Sequence, residues 1–241
     1  MPVSSFTRSR RGGILTAIVA AFAPLVFLVC EAISALAWTA GTYNYGHNFI
    51  SDLGTTVCGS TFGDRLMCSP LHGVMNFGFI AMGLGVATTV ALLAARLPKV
   101  RRSLATLFGC LIAAGMILVA VFHGGVESVG NGTIALHVLG AAVAILLGNT
   151  QAIIMGSNRR RLGFPSWYGR TVITLGIIGL VALALLGVGA TFLDPAIFER
   201  ISVYAIFAWL LLTSAVQVYS LRTGTHGDEL HKLDEPVAAG R

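Results

Sequence analysis

Three histidines of this 241-residue chain, His72, His123 and His137, lie near the ends of long apolar segments. If these segments are helices, the three rings come to similar depth at one end of a helix bundle. Three imidazoles with an open fourth position are typical of a catalytic zinc site, whose bound water ionises near neutral pH. The pattern predicts that zinc held by these histidines hydrolyses an ester or amide of a lipid headgroup.

Polar side chains near the same ends extend this candidate site. Ser69, His72 and Asn76 follow the spacing i, i+3, i+7, which places them on one helix face. We predict catalytic roles for Asp52 and Glu199. Glu31 lies about two turns from the end of the first apolar segment, where it could pair with the neighbours of Glu199 or line the same cavity. The residues predicted to bind a ligand are Glu31, Asn48, Ser51, Ser69 and Asn76.

Two further interpretations use the same residues. Ser, Asn and His often join transmembrane helices through hydrogen bonds worth about 1 kcal/mol each, so the polar groups could serve packing alone. Alternatively, they line a metal-free pocket that binds a lipid, a quinone or another amphiphile by its polar end. The metal content of the purified protein distinguishes the zinc site from the other two.

The elements that must position these residues are transmembrane helices. The chain is 55% apolar and 11% charged, whereas soluble domains carry about 25% charged residues. Six apolar segments are each long enough to cross a hydrocarbon core about 30 Å thick, and lipid requires helices for runs of this length. The expected fold is an all-α bundle of six transmembrane helices, over about residues 13–38, 71–95, 103–122, 133–156, 171–193 and 201–221.

Basic residues predict the orientation of the bundle. Of the 16 Lys and Arg residues, all but Arg65 and Arg200 lie in the N-terminal tail, the second and fourth connections or the C-terminal region. The positive-inside rule then places both termini in the cytoplasm. Orientation accounts for the net charge of +6, and no nucleic-acid partner is expected.

The connections divide the chain into one transmembrane domain, residues 1–222, and a flexible cytoplasmic tail, residues 223–241. The first outer loop, about residues 39–69, is long for a compact bundle, and such loops often form lids or binding sites. Cys58 and Cys68 lie in this loop on the oxidising side of the membrane, so we predict a disulfide between them.

A motif in the first outer loop and second span resembles the prokaryotic six-span membrane family known as domain of unknown function 998. It consists of residues 48–54, Asn-Phe-Ile-Ser-Asp-Leu-Gly, followed by Ser69-Pro70-Leu71-His72 and Met75-Asn76-Phe77. The resemblance emphasises Asn48, Ser51, Asp52, Ser69 and Asn76. We predict an integral protein of a prokaryotic plasma membrane. In physical terms, Ser51 and Asp52 suit the cap of a short re-entrant or interfacial helix.

The sequence therefore predicts an outward-facing polar pocket under a disulfide-linked loop. The leading hypothesis is binding or processing of a lipid-like molecule of the outer leaflet, with metal-assisted hydrolysis as its enzymatic form. The alternative is a structural or accessory subunit that presents a helix face to a membrane protein partner. In that case the histidines would be dispensable.

Overall fold

A computed structural model describes residues 3–223 and the side chains of residues 10–223. Six helices of the described chain are long and apolar enough to span a membrane, which confirms the all-α six-helix prediction. Two short helices connect the long ones. In chain order the helices are α1 (Val3–Leu36), α2 (His72–Ala94), α3 (Lys99–Val121), α4 (Val126–Gly130), α5 (Ile134–Ser157), α6 (Arg159–Leu162), α7 (Ser166–Gly187) and α8 (Pro195–Thr223).

The last helix begins six residues earlier than the apolar pattern predicts. Pro195 occupies its first position, where a missing N–H costs nothing. Glu199 and Arg200 follow within the first two turns and interrupt the apolar run, but both side chains are buried against polar partners. The helix therefore continues through residues that hydropathy alone assigns to a loop.

The six long helices form a closed ring. Each packs against the next in the order α1, α2, α3, α5, α7 and α8, and α8 packs back against α1. Glycines allow the closest approaches: a Cβ built on Gly115 of α3 would lie 2.6 Å from the carbonyl oxygen of Gly140 on α5. Small residues at such crossings are the usual basis of helix packing in lipid.

One end of the ring carries residues 37–71 and is called the loop end; the opposite end, with the arginine-rich connections, is called the arginine end. The loop contains a 3₁₀ helix (Ile50–Gly54) and an antiparallel hairpin of β1 (Ser60–Phe62) and β2 (Arg65–Met67). This small sheet is not predicted from the sequence. The predicted Cys58–Cys68 disulfide joins the two ends of the hairpin.

The predicted cytoplasmic tail, residues 223–241, lies outside the described residues except for Thr223.

Candidate functional site

The 3₁₀ helix inserts into the mouth of the ring at the loop end. Its apolar side chains Ile50 and Leu53 are 1% and 0% exposed. We call residues 48–55 the lid, because they cover the interior of the ring at this end. A backbone buried this deeply needs a partner for each of its polar groups, and side chains of several elements supply them.

Two predicted site residues hold the C-terminal end of the lid. The Ser69 hydroxyl donates to the Leu53 carbonyl at 2.6 Å, and the Asn76 side-chain amide donates to the Gly54 carbonyl at 3.1 Å. A side chain at position 54 would collide with that of Asn76, so a larger residue there requires the Asn76 amide to move. Ser69 and Asn76 thus bind consecutive carbonyls. The predicted common helix face does not extend to Ser69, because α2 begins at His72 and Ser69 precedes it.

Asp52 holds the N-terminal end of the lid. Its Oδ2 accepts the N–H of Phe49 at 2.9 Å and the Nε–H of Arg65 at 2.8 Å. The first bond confirms the capping role expected for Asp52 at a short helix. Burial raises the pKa of the Asp52 carboxyl above its usual value, and the neighbouring Arg65 guanidinium opposes that rise. Arg65 also lies over the Phe49 ring, with 4.6 Å between its Cζ and the ring centroid.

Glu199 of α8 contacts the lid from below. Its Oε2 accepts the backbone N–H of Ile50 at 2.6 Å, and the residue is 9% exposed. The predicted catalytic pair, Asp52 and Glu199, therefore binds neighbouring backbone amides of the same short helix. Both carboxylates are buried at the loop end, as the sequence predicts.

Arg200 joins the lid to the first span. Its guanidinium donates to the Asn48 carbonyl and to the Tyr43 hydroxyl, each at 2.5 Å, and lies 3.6 Å from the Glu31 carboxylate. The Tyr204 hydroxyl lies 2.9 Å from both oxygens of Glu31. Glu31 thus pairs with the neighbour of Glu199, one of the arrangements predicted for it. The sequence does not predict these contacts of Tyr43 and Tyr204, because aromatic residues near the end of a span usually anchor the helix to the membrane interface.

The three histidines share one end of the ring but do not form the predicted metal site. The His72 and His123 rings are 6.4 Å apart between centroids. Instead, Nδ1 of His137 lies 2.7 Å from the carbonyl oxygen of Phe122. Phe122 caps the end of α3, where carbonyls have no partner within the helix, and His137 provides one. Within residues 3–223, no three His, Cys, Asp or Glu side chains are grouped to hold a metal ion.

A cavity of about 430 Å³ lies beside the lid. Its walls are mostly apolar residues of α5 and α7, and polar groups gather at the lid. We call it the lid cavity. Its polar residues are Ser51, Asp52, Arg65, His137 and Glu199; its apolar wall includes Ile134, Val138, Ala141, Ala142, Ile145, Leu183 and Leu186.

Part of the lining of the lid cavity lies at the surface of the helix ring, because Val138 lines the cavity and is 58% exposed. Exposed apolar side chains such as Ile178 and Val181 also lie on α7. On the inner side, Ser51 and Glu199 also border a narrow apolar void of about 50 Å³ in the centre of the ring. The arrangement suits a molecule with one apolar and one polar end.

Comparison with known proteins adds a family and no activity. The chain has no significant match among curated proteins or among solved structures. One family model matches residues 18–216, which include all of the loop with the lid and most of the six-helix ring. The chain therefore belongs to the family described as protein of unknown function (DUF998).

Proposed function

We propose that this protein binds a lipid-like amphiphile in the lid cavity, with the apolar chain along α5 and α7 and the polar group at the lid. The observation that carries the proposal is the cavity itself. Its volume of about 430 Å³ falls within the range of about 300–1,000 Å³ typical of small-molecule sites. Its apolar walls end in a compact set of charged and hydrogen-bonding groups, as a site for an amphiphile requires.

The polar end of the cavity must provide most of the selectivity. A hydrocarbon chain gains little by leaving the bilayer, because lipid is as apolar as the walls of the cavity. The polar group of the ligand gains more, since buried charged partners form hydrogen bonds about twice as strong as neutral ones. Glu199 is suited to this role: one carboxylate oxygen binds the lid, and the residue borders the cavity.

We also propose that the loop end faces outward from a prokaryotic plasma membrane and that both termini are cytoplasmic. The supporting observations are the arginine-rich connections at the opposite end and the disulfide at the loop end, since disulfides persist in oxidising compartments. With this orientation the ligand is a lipid-like molecule of the outer leaflet.

Native mass spectrometry of the protein released from detergent micelles tests binding. We expect the wild type to retain one bound amphiphile. Ala142→Trp fills the cavity from α5 and should remove the adduct, whereas Leu139→Trp is the matched control on an exposed position of α5 outside the cavity lining. Equal adducts in both variants, or none in the wild type, would contradict the proposal and favour an accessory role.

A further inference from the structure

A second, polar cavity lies next to the lid cavity at the loop end. It encloses about 230 Å³ between the end of the lid, the end of α3 and the short helix α4. We call it the polar cleft. Its lining residues are Thr55, Thr56, Val57, Val121, Phe122, His123, Gly124, Gly125, Val126, Glu127, Ser128, Asn131 and Thr133.

The two cavities adjoin at Gly124, which lines both of them. A Cβ built on Gly124 would lie 3.6 Å from Nε2 of His137, the histidine at the polar end of the lid cavity. A ligand whose polar group reaches the lid in the lid cavity therefore lies next to the polar cleft.

We propose that the polar cleft is the headgroup subsite of the amphiphile and that it takes an uncharged, hydroxyl-rich headgroup such as a sugar. This inference rests on the proposed function, since the chain of the same ligand occupies the lid cavity. It adds the chemical class of the ligand, which the lid cavity alone does not specify.

The hydrogen-bonding groups of the cleft suit hydroxyls. Thr55 and Ser128 donate their hydroxyl protons to the carbonyls of Gly124 and Gly125, so their oxygens remain as acceptors. The oxygen of the Asn131 side chain accepts from Thr133, which leaves its NH₂ group as a donor. Sugar hydroxyls both donate and accept, so they fit such mixed surroundings.

His123 adds an acceptor to the cleft. Burial, followed by the nearby His72 and His137, lowers the pKa of His123 below its usual value, so the ring is neutral at pH 7. A neutral imidazole carries one N–H and one unprotonated nitrogen. The N–H is used by the backbone of Ala120, so the other nitrogen is an acceptor that suits a hydroxyl.

The charge of the cleft argues against an anionic headgroup, and its hydrogen-bonding groups argue against an ammonium group. Glu127 is the one charged residue among those that line it, and its side chain is exposed to solvent. A phosphate would meet this carboxylate without an arginine or lysine of the lining to compensate it. An ammonium group would leave the hydroxyl and amide groups of the cleft unused.

The test compares three probes with the same chain: octyl glucoside, octylphosphocholine and octyltrimethylammonium. Binding is measured below the micellar concentration to protein in phosphatidylcholine nanodiscs, with protein-free nanodiscs subtracted. We expect the glucoside to bind at least about tenfold more tightly than the other two. The double variant Thr56→Val, His123→Phe should reduce this preference to about threefold or less, whereas Thr88→Val, on an exposed position of α2, should retain it.

The outcomes separate the two proposals. If all three probes bind equally and Ala142→Trp weakens them all, the headgroup inference is wrong and the proposed function stands. Tighter binding of either ionic probe also overturns the inference. If no probe responds to Ala142→Trp, the lid cavity is not the binding site and both proposals fail. A glucoside preference that survives the double variant places sugar recognition elsewhere and refutes the cleft.

Discussion

Removing the arginine that neutralises Asp52 should release the lid. The Asp52 side chain is 5% exposed and that of Arg65 is 12% exposed, with 2.8 Å between Nε and Oδ2. Arg65→Gln keeps much of the side-chain length but removes the charge. The carboxylate then stays buried in the closed lid with the Phe49 N–H as its main partner, and opening the lid returns it to water.

The size of the effect follows from this geometry. At 2.8 Å and an effective dielectric constant of about 20, the attraction between the charges is about 6 kcal/mol. Part of it is offset by desolvation, and removing one partner of a buried pair costs about 3–5 kcal/mol. Protonation limits the penalty, because neutralising an aspartate at pH 7 costs about 4 kcal/mol. We expect the closed lid to lose about 3 kcal/mol.

The loss of lid stability in Arg65→Gln should depend on pH, and the pKa of Asp52 determines whether it grows or shrinks as pH rises. Burial already raises this pKa, and Arg65 opposes the rise, so the pKa rises further in Arg65→Gln. Between the ordinary pKa of aspartate and the raised one, the closed lid binds a proton that the open lid does not. The free energy that keeps the lid closed therefore falls as pH increases through this window.

Hydrogen–deuterium exchange of the lid backbone measures this free energy directly. A loss of about 3 kcal/mol corresponds to exchange roughly a hundredfold faster at pH 7. After correction for intrinsic exchange, the acceleration should be smaller at pH 5. Asp52→Asn combined with Arg65→Gln should remove the part of the pH dependence that Asp52 causes, and Arg102→Gln on the exposed start of α3 is the control. Wild-type exchange in Arg65→Gln at pH 7 would refute the reasoning.

The remaining predictions concern orientation, the disulfide and the carboxylate below the lid. In a background without the two free cysteines, a cysteine at Ser103 should react with an impermeant reagent only after cell lysis, whereas one at Asn131 should react in intact cells; the reverse would overturn the orientation. Mass spectrometry of non-reduced peptides should show Cys58 linked to Cys68, and free thiols at both positions in native protein would contradict the pairing. Glu199→Leu leaves a buried lid amide without its acceptor and should accelerate lid exchange by roughly tenfold or more, since such a loss costs about 1–3 kcal/mol. Glu199→Gln retains an acceptor and should have a smaller effect.

The helices and the disulfide were predictable because lipid imposes simple rules. A buried peptide group needs an internal partner in the bilayer, so the length of an apolar run is enough to predict a spanning helix. The start of α8 was missed because Glu199 and Arg200 break the run while their partners lie on other elements. The hairpin was missed because its strands are three residues each.

The sequence predicted how far along the helices the candidate site residues lie, but not which way their side chains point. Distance from the end of an apolar segment places His72, His123 and His137 at one level, which the structure confirms. The direction in which each ring points depends on how the helices rotate and which groups they meet. His137 contacts the carbonyl of Phe122, and the spacing of residues within α5 cannot predict a contact with another element. For the same reason the sequence identified Asp52 but not its partner Arg65.

The polar contacts of the lid are unevenly distributed around the ring, and this bears on how a ligand enters. The helix side chains that hold the lid come from α2 and α8, through Asn76, Glu199 and Arg200. Among the described residues, no hydrogen bond joins the lid to α5 or α7, the two helices that form the apolar wall of the lid cavity. The lid is therefore attached to α2 and α8 and not to the two helices of the apolar wall, although Glu199 of α8 also borders the cavity. Under the proposed function, an amphiphile enters from the bilayer at Val138, between α5 and α7, while the contacts to α2 and α8 keep the lid closed. Variants that loosen these contacts should then change lid exchange far more than the rate of entry.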